Sequence, residues 1–383
     1  MKIVIAPDSF KDSLTAMEVA RLIRAGLRHS FPKASYELIP LADGGEGTVA
    51  ALVAARGGRL VRARVMGPLG NTVQAQYGRL PNGDAVVEMA AAAGLELVPH
   101  ALRNPLRTTS YGAGQLVRRA LDAGARRVLL GIGGSATVDG GLGFAQALGA
   151  RFLDARGRGL AAPLTGADLS RVATVDLEQL DPRVGPALRV ACDVDSPLVG
   201  PRGAARVFGP QKGATPAQVG RLEVGLQAFG RLLERHSGRR LLRAAGTGAA
   251  GGLGALLLGL FNGRLERGVD LVLEFAEVAA RLQGASLVVT GEGRLDEQTG
   301  LGKAPQGIFL LARQLEIPIV AIGGSILLDV KGRKSGIADY AVSAVATPQT
   351  LDEALSQASG NVLAAARRLG NLLGVGQALK SKT

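Results

Sequence analysis

Short apolar runs of three or four residues recur along the chain, and each stops at or close to Gly, Pro or Asp. Runs of this kind are typical of strands buried on both faces, as in a parallel sheet covered by helices. We therefore predict a parallel sheet. The predicted strands are 3–5, 38–41, 128–130, 287–289, 319–322 and 340–342.

The segments between these runs have helical periodicity and readable starts. Three of them open on a Thr that is followed three positions later by Glu or Gln, which is the capping-box pattern of a helix N-terminus. Helices that alternate with parallel strands indicate an α/β fold of the doubly wound class. The three pairs are Thr15 with Glu18, Thr215 with Gln218, and Thr350 with Glu353.

A second kind of segment alternates apolar and polar residues. Residues 61–65 and 73–77 do so on either side of a Pro-Leu-Gly-Asn turn, which predicts an antiparallel hairpin. Because the two kinds of segment interleave, we predict two discontinuous domains. The doubly wound domain comprises 1–58, 107–148 and 285–383, and a second, smaller α/β domain comprises 59–106 and 149–284.

Composition indicates a folded chain with a strongly basic balance. The 383 residues are 47% hydrophobic with 55 glycines, and the formal net charge is +13. The basic residues are spread through most segments without interleaved aromatic residues, and no zinc-finger or RNP pattern is present. An anionic small-molecule substrate, or solubility alone, explains the positive charge, and we expect no nucleic-acid partner.

The single cysteine and the N-terminal sequence give information on the cellular compartment of the protein. Cys192 has no second cysteine to pair with, which fits a reducing compartment. The first apolar run is only four residues long before Pro7, too short for a signal-peptide core. The least polar stretch, 248–263, is too short to span a membrane. We expect a cytoplasmic protein without membrane contact. The sequence leaves the oligomeric state open, with a homodimer as one candidate assembly.

Polar or glycine-rich sequence follows five of the predicted strands. In an open parallel sheet, ligands bind beyond the carboxyl ends of the strands, so these five segments sample one surface. Their coincidence predicts a polar ligand site. The segments are DSFK at 8–11, DGGEGT at 43–48, GIGGSATVDGG at 131–141, TGEGRLDEQTGLGKAP at 290–305, and GGS at 323–325.

These segments contain carboxylates, hydroxyls, lysines and backbone N–H groups, but no His or Cys. Nucleophilic triads and zinc clusters are therefore poorly supported. The set suits phosphoryl transfer, which needs positioning, Mg²⁺ ligands and cations around the migrating group. Each motif also has a structural interpretation: a tight turn at 131–141, a helix cap at Asp43 and Glu46, a solvated turn at 292–296, and a surface position for Lys11.

Two other functions are open from the residues alone. Gly131, Gly133 and Ala136 match G-x-G-x-x-A, with Asp154 at the place of a ribose-binding acid, which would suit a nucleotide-dependent oxidoreductase. The segment after this match is short and glycine-rich for the required helix. A non-catalytic sensor of a small molecule is the other alternative, although no helix-turn-helix is evident.

Six motifs together resemble the glycerate kinase family. They occur in the family's order from residue 6 to residue 305, and Val138 and Ser196 stand where the family often has Asn. The resemblance implies ATP-dependent phosphorylation of D-glycerate with Mg²⁺, most often to 2-phosphoglycerate; glycerate 3-kinase activity is the alternative. It also implies an active site in a cleft between a Rossmann-like domain and a smaller α/β domain. The motifs are APDSFKDSLTA, ADGGEGT, GIGGSATVDGG, CDVDSPLVGPRGAARVFGPQKGA, GAAGGLG and TGEGRLDEQTGLGKAP.

With this resemblance, we assign catalytic and binding roles to individual residues as a hypothesis. The hypothesis requires that loops far apart in the chain converge on one crevice. Asp193 is the predicted base for the attacking hydroxyl, and Lys11 and Arg294 are predicted to neutralise the glycerate carboxylate or the phosphoryl oxygens. The predicted ligands of Mg²⁺ or its water shell are Asp43, Glu292 and Asp296. The remaining candidates for substrate or nucleotide binding are Asp8, Ser9, Gly44, Gly45, Gly133, Gly134, Ser135, Thr137, Asp139 and Lys212.

Overall fold

The computed structural model describes residues 1–296, 299, 303–327 and 337–380. The chain divides into two compact units. The first unit comprises Met1–Asp43, Ala50–Gly57 and Val272–Thr383, and the second comprises Gly44–Val49 and Gly58–Leu271. Each unit contains its own sheet, so the fold is mixed α/β with a two-part layout.

The strands of the described residues fall into a five-stranded sheet, a six-stranded sheet and a separate two-stranded pair. They are β1 (Lys2–Ile5), β2 (Ser35–Leu38), β3 (Arg59–Met66), β4 (Thr72–Arg79), β5 (Ala85–Glu88), β6 (Val128–Gly131), β7 (Arg151–Leu153), β8 (Thr174–Asp176), β9 (Leu188–Ala191), β10 (Leu265–Glu266), β11 (Leu287–Leu295), β12 (Ile319–Ile326) and β13 (Tyr340–Ser343).

The α-helices of the same residues vary from one turn to six. They are α1 (Ala16–Ser30), α2 (Thr48–Arg56), α3 (Ala90–Ala93), α4 (Tyr111–Asp122), α5 (Leu142–Ala147), α6 (Val184–Ala187), α7 (Ala204–Phe208), α8 (Pro216–Ser237), α9 (Ala249–Leu260), α10 (Gly268–Phe275), α11 (Val278–Leu282), α12 (Ala304–Gln314), α13 (Leu351–Ser356) and α14 (Ala358–Lys380).

The first unit is built on a parallel sheet in the order β13-β12-β11-β1-β2. Its core forms between β1 and the helices α1 and α14, where Ile23 and Val362 are fully buried. The two helices approach closely, since a Cβ added to Gly26 would lie 2.5 Å from the Cβ of Ala366. Every neighbouring pair in this sheet is parallel, as the apolar runs predict.

The second unit is built on a mixed sheet in the order β10-β9-β6-β5-β4-β3. The predicted hairpin is confirmed as β3 and β4, which pair antiparallel with Val61 opposite Tyr77. Strands β5, β6, β9 and β10 are parallel to one another. The core of this unit includes Phe144, Phe152 and Phe229, each with no exposed surface.

One predicted strand belongs to a different sheet. Residues 128–130 do form a strand, but β6 pairs with β5 and β9 of the second unit, so the predicted placement of this strand in the first sheet is wrong. The reason is that a strand buried on both faces carries the same apolar run in either sheet. Segment 107–148 therefore lies in the second unit, which is the longer of the two, whereas the sequence predicted a smaller second domain.

The three predicted capping boxes are confirmed. In each, the N-cap Thr accepts a hydrogen bond from the backbone N–H three positions later, and the Glu or Gln side chain accepts one from the backbone N–H of that Thr. Among the described residues, no helix combines the length and the apolar character that crossing a bilayer requires.

Candidate active site

The first unit contains a cavity of about 920 Å³. Its polar wall is formed at the carboxyl ends of β1, β2, β11 and β12, which is where ligands bind in open parallel sheets. Lys303, at the start of α12, adds a cation to this wall. The predicted site residues that line the cavity are Asp8, Ser9, Lys11, Asp43, Glu292, Arg294 and Asp296.

Backbone hydrogen bonds hold these loops beyond the ends of the strands. The Asp8 N–H donates to the carbonyl oxygen of Gly291 at 2.8 Å, and the Leu41 N–H donates to that of Pro7 at 2.9 Å. The segments that carry Asp8 and Asp43 are thus attached to neighbouring backbone in the same sheet. Side chains presented by such fixed backbone are suited to positioning a ligand.

Asp8 is the most electrostatically perturbed carboxyl group in this wall. Its Oδ1 accepts a hydrogen bond from the Ser9 N–H at 2.6 Å, which favours the charged form. Burial nevertheless raises the pKa of Asp8 to about 7, and the neighbouring Asp43 and Glu292 carboxylates add to this rise. A group of carboxylates that repel one another in this way is a favourable place for a cation.

The motif at 290–305 places carboxylates and cations side by side. Glu292, only 6% exposed, accepts hydrogen bonds from Thr299 Oγ1 at 2.6 Å and from Lys303 Nζ at 3.3 Å. Arg294 Nε lies 2.9 Å from Asp296 Oδ2. Residues 297–298 and 300–302 of this motif lie outside the described residues. The motif therefore presents both carboxylates and cations to the cavity wall.

The second unit has a smaller cavity of about 570 Å³ with a glycine-rich wall. The predicted residues Gly44, Gly45, Gly133 and Gly134 line it. Without a Cβ, such residues let a ligand approach the backbone N–H groups closely.

Gly44 occupies a position that no other residue fits. Its φ is +94°, and an added Cβ would lie 2.7 Å from the Cα of Gly268 and 2.9 Å from the Cβ of Ala191. Its carbonyl oxygen in turn would lie 2.6 Å from a Cβ at Gly131. The DGGEGT loop therefore packs backbone against backbone at the ends of β6 and β9.

Four charged residues of this second cavity were missed by the sequence analysis: Arg62, Glu88, Glu96 and Arg103. Glu88, at the end of β5, accepts a hydrogen bond from the Val49 N–H at 2.7 Å, and burial raises the pKa of its carboxyl group. Arg62 and Arg103 also line the cavity. The strand-end rule would have found Glu88, since AVVE at 85–88 is another short apolar run that ends in a carboxylate.

Asp139 lies inside the second unit, with no exposed surface. Its Oδ2 accepts hydrogen bonds from the Ser110 N–H at 2.8 Å and from Ser110 Oγ at 2.7 Å, and its Oδ1 accepts one from the Gly141 N–H at 3.1 Å. Ser110 and Gly141 are the N-caps of α4 and α5. Burial raises the pKa of Asp139, although these hydrogen bonds favour its charged form. This placement favours a structural role at two helix N-termini.

Lys212 belongs to the same buried region and is 3% exposed. Its Nζ donates to Ser135 Oγ and to the carbonyl oxygen of Thr137, both at 2.8 Å. Burial lowers the pKa of Lys212 to about 7, and the charge of Asp139 opposes this shift. Through these two hydrogen bonds, Lys212 fixes the glycine-rich segment 131–141 from the protein interior. Ser135, Thr137, Asp139 and Lys212 line neither cavity.

The predicted base, Asp193, follows β9 in the second unit. Its Oδ1 accepts a hydrogen bond from the Gly268 N–H at 2.9 Å, beside the Gly44 contact. Val138, one of the two departures from the family pattern, is fully buried and lines neither cavity. The structure therefore brings Asp8, Asp43 and Asp296 together in one cavity, and convergence of all the predicted acids stays a prediction.

A sequence model of the glycerate kinase family matches residues 3–374. The chain belongs to the glycerate kinase family. The resemblance predicted from the six motifs is therefore confirmed, and the match covers both units.

Named relatives agree over nearly the same length. The chain is 50% identical over 331 residues to a protein of Bacillus subtilis strain 168 named glycerate kinase, with 86% of each chain covered. It is 44% identical over 378 residues to the glycerate 2-kinase of Escherichia coli K12, with 98% of this chain and 99% of the relative covered. A crystal structure of a candidate glycerate kinase 2 from Salmonella typhimurium LT2 superimposes with a TM-score of 0.89 at 48% identity, with 98% of this chain and 99% of that one covered.

Proposed function

We propose that this member of the glycerate kinase family transfers the γ-phosphoryl group of ATP to D-glycerate, with 2-phosphoglycerate as the product. The observation that carries the proposal is the cavity of the first unit, where Asp8, Asp43, Glu292 and Lys303 bring carboxylates and cations to one wall. The position of transfer is taken from the Escherichia coli relative, which is named glycerate 2-kinase.

In this proposal the cavity of the first unit binds ATP. Lys11, Arg294 and Lys303 are the cations of its wall, and they neutralise the phosphate oxygens. A γ-phosphoryl group in transfer carries its charge on three oxygens, so cations aimed at those oxygens stabilise the transition state.

The carboxylates of the same wall fit Mg²⁺. Among the described residues no group of three or more His, Cys, Asp or Glu side chains could hold a metal ion. Mg²⁺ in kinases needs fewer protein ligands, since one or two carboxylates, substrate phosphates and water complete its shell. Asp43 and Glu292 would hold it, with Asp296 as a further predicted ligand; when bound, the ion neutralises charge on the phosphates.

D-Glycerate is proposed to bind in the glycine-lined cavity of the second unit. Arg62 and Arg103 supply cations for its carboxylate, and the backbone N–H groups of Gly133 and Gly134 supply neutral donors. Asp193 takes the proton of the attacking hydroxyl. The hydroxyl oxygen forms a bond to the γ-phosphorus, the bond to the β–γ bridging oxygen breaks, and ADP leaves.

The oxidoreductase alternative is not favoured. A dinucleotide fingerprint opens a helix directly, whereas α5 begins at Leu142 and has six residues. Asp154, the proposed ribose ligand, instead accepts hydrogen bonds from the backbone N–H groups of Arg156 and Arg158. Both observations place this motif outside the dinucleotide-binding pattern.

The deciding experiment is a coupled assay of ADP release with D-glycerate and ATP, followed by phosphorus NMR of the product. A signal for phosphate on the 2-oxygen is expected. Phosphate on the 3-oxygen would support the 3-kinase alternative, and glycerate binding without ADP release would support the sensor. The cytoplasm stays the proposed compartment, because the proposed reaction uses ATP and ATP is a cytoplasmic metabolite. The homodimer stays a proposal that light scattering of the purified protein would test.

A further inference from the structure

The cavity of the first unit has an apolar wall in addition to its charged wall. This wall is formed after β13 and by α13 and α14. Leu351 is 73% exposed and lines this concave surface, so a ligand in the cavity would cover apolar area that now faces solvent. We call this wall the α13–α14 wall. It comprises Val345, Leu351, Ala354, Leu355, Ala358 and Val362.

Two amide side chains stand on the same wall. Asn361 Nδ2 donates to Gln349 Oε1 at 3.0 Å, which links the segment before α13 to α14. An amide carries both donors and acceptors, so this pair can meet a ligand edge that also carries both. The wall therefore combines an apolar surface with a small number of oriented polar groups, which is the usual composition of a small-molecule site.

The cavity is also larger than phosphate groups alone would need. A volume of about 920 Å³ lies at the upper end of the range of small-molecule sites. Phosphate groups and a divalent cation account for the charged wall around Asp8 and Glu292 but give no reason for an apolar wall beside it. A ligand with an anionic end and a flat apolar end matches both walls.

We propose that the α13–α14 wall binds the adenine base of ATP. Leu351 and Leu355 cover the faces of the ring, and the Gln349–Asn361 pair meets its hydrogen-bonding edge. The base then lies in the same cavity as the cations that hold the phosphates. This inference rests on the proposed function insofar as the nucleotide is ATP.

The test is Leu351→Asp, with Leu372→Asp as its matched control. Both leucines are exposed residues of the first unit, at 73% and 59%, so neither change removes core packing, and Leu372 lies outside the cavity. Losing one leucine contact and placing a carboxylate against the base should raise the KM for ATP about tenfold. The kcat and the KM for D-glycerate should stay at wild-type values, as should all three parameters in Leu372→Asp.

Two inhibitors separate the halves of the nucleotide. In the wild type, adenosine and tripolyphosphate should both compete with ATP; in Leu351→Asp, inhibition by adenosine should weaken about tenfold while tripolyphosphate keeps its potency. Ala354→Trp, which fills the wall, should give the same pattern. Equal KM values for ATP in Leu351→Asp and Leu372→Asp, or equal weakening of both inhibitors, would overturn the inference.

Failure of the proposed function has a different signature. If the wild type released no ADP with D-glycerate, the reaction assignment would fail, while calorimetric titration of adenosine into the wild type and the two Leu variants would still decide the base site. Wild-type binding that is lost in Leu351→Asp supports the site, and equal binding in both variants refutes it.

Discussion

Replacing Lys212 by Met should change how the stability of the protein depends on pH. Lys212 is 3% exposed, and burial lowers its pKa from 10.5 to about 7. The unfolded chain keeps the proton up to the ordinary value, whereas the folded chain releases it near neutrality. Between these pH values the unfolded state binds one more proton, so this group makes the free energy of unfolding rise with pH.

The size of the effect follows from the shift. One proton contributes about 1.4 kcal/mol per pH unit, so the wild type should gain about 3 kcal/mol over Lys212→Met between pH 7 and pH 9.5. The two hydrogen bonds to Ser135 and Thr137 persist with a neutral amine, because it still has N–H donors. At pH 9.5 the variant should therefore be clearly less stable than the wild type.

Urea denaturation followed by circular dichroism at several pH values measures this difference. Lys33→Met is the control, since Lys33 is an exposed lysine and its removal should leave the curve parallel to that of the wild type. Equal slopes for the wild type and Lys212→Met across this pH range would refute the argument, because they would mean that the amine stays charged in the folded chain.

The remaining predictions concern the acidic residues. Asp8→Asn should raise the melting temperature at pH 8 but not at pH 4. The pKa of Asp8 is about 7 in the folded state and 3.8 in the unfolded chain, so the folded state binds more protons between these pH values. The wild type therefore loses stability as pH rises through this range, and the Asn variant does not. Calorimetry at the two pH values checks this, and an equal change at both would contradict it. Asp193→Asn should lower kcat about a hundredfold or more at a nearly unchanged KM for ATP, and steady-state kinetics showing full turnover would exclude it as the base. Asp43→Asn should raise the Mg²⁺ concentration at half-maximal rate about tenfold, since a carboxylate ligand is lost; a titration with an unchanged midpoint would remove it from the metal site.

Four strands of the first unit, β1, β11, β12 and β13, could be predicted because each contains a short apolar run that leads into polar sequence. The prediction was wrong for β2, which is Ser35–Leu38 and not 38–41, because its sequence SYEL has no apolar run. The same rule found Asp8, Asp43 and Glu292, since they stand directly after such runs or at their ends. Strand β6 shows the limit of the rule. Its run, Val-Leu-Leu, is as apolar as the Leu-Val-Val run of β11, and only pairing with β5 and β9, which no local pattern encodes, assigns it to the second sheet.

Burial of charged groups was equally hard to foresee. Asp139 and Lys212 stand in glycine-rich or polar segments, which is where ligand-binding residues are expected. Their partners come from far along the chain: Ser110 lies 29 residues before Asp139, and Ser135 lies 77 residues before Lys212. A charged group is tolerated inside a protein when such partners surround it, and this depends on the tertiary fold.

The order of pairing in the first sheet has a consequence for synthesis on the ribosome. Strand β1 lies between β2 and β11, and Ile3 pairs with Leu287. At ordinary translation rates, about 15 to 60 seconds separate the emergence of these two partners. Throughout that interval the apolar residues of β1 lack one neighbouring strand, whereas stretch 58–271 contains every strand of the six-stranded sheet. The first sheet can therefore be completed only after the whole second unit has been synthesised.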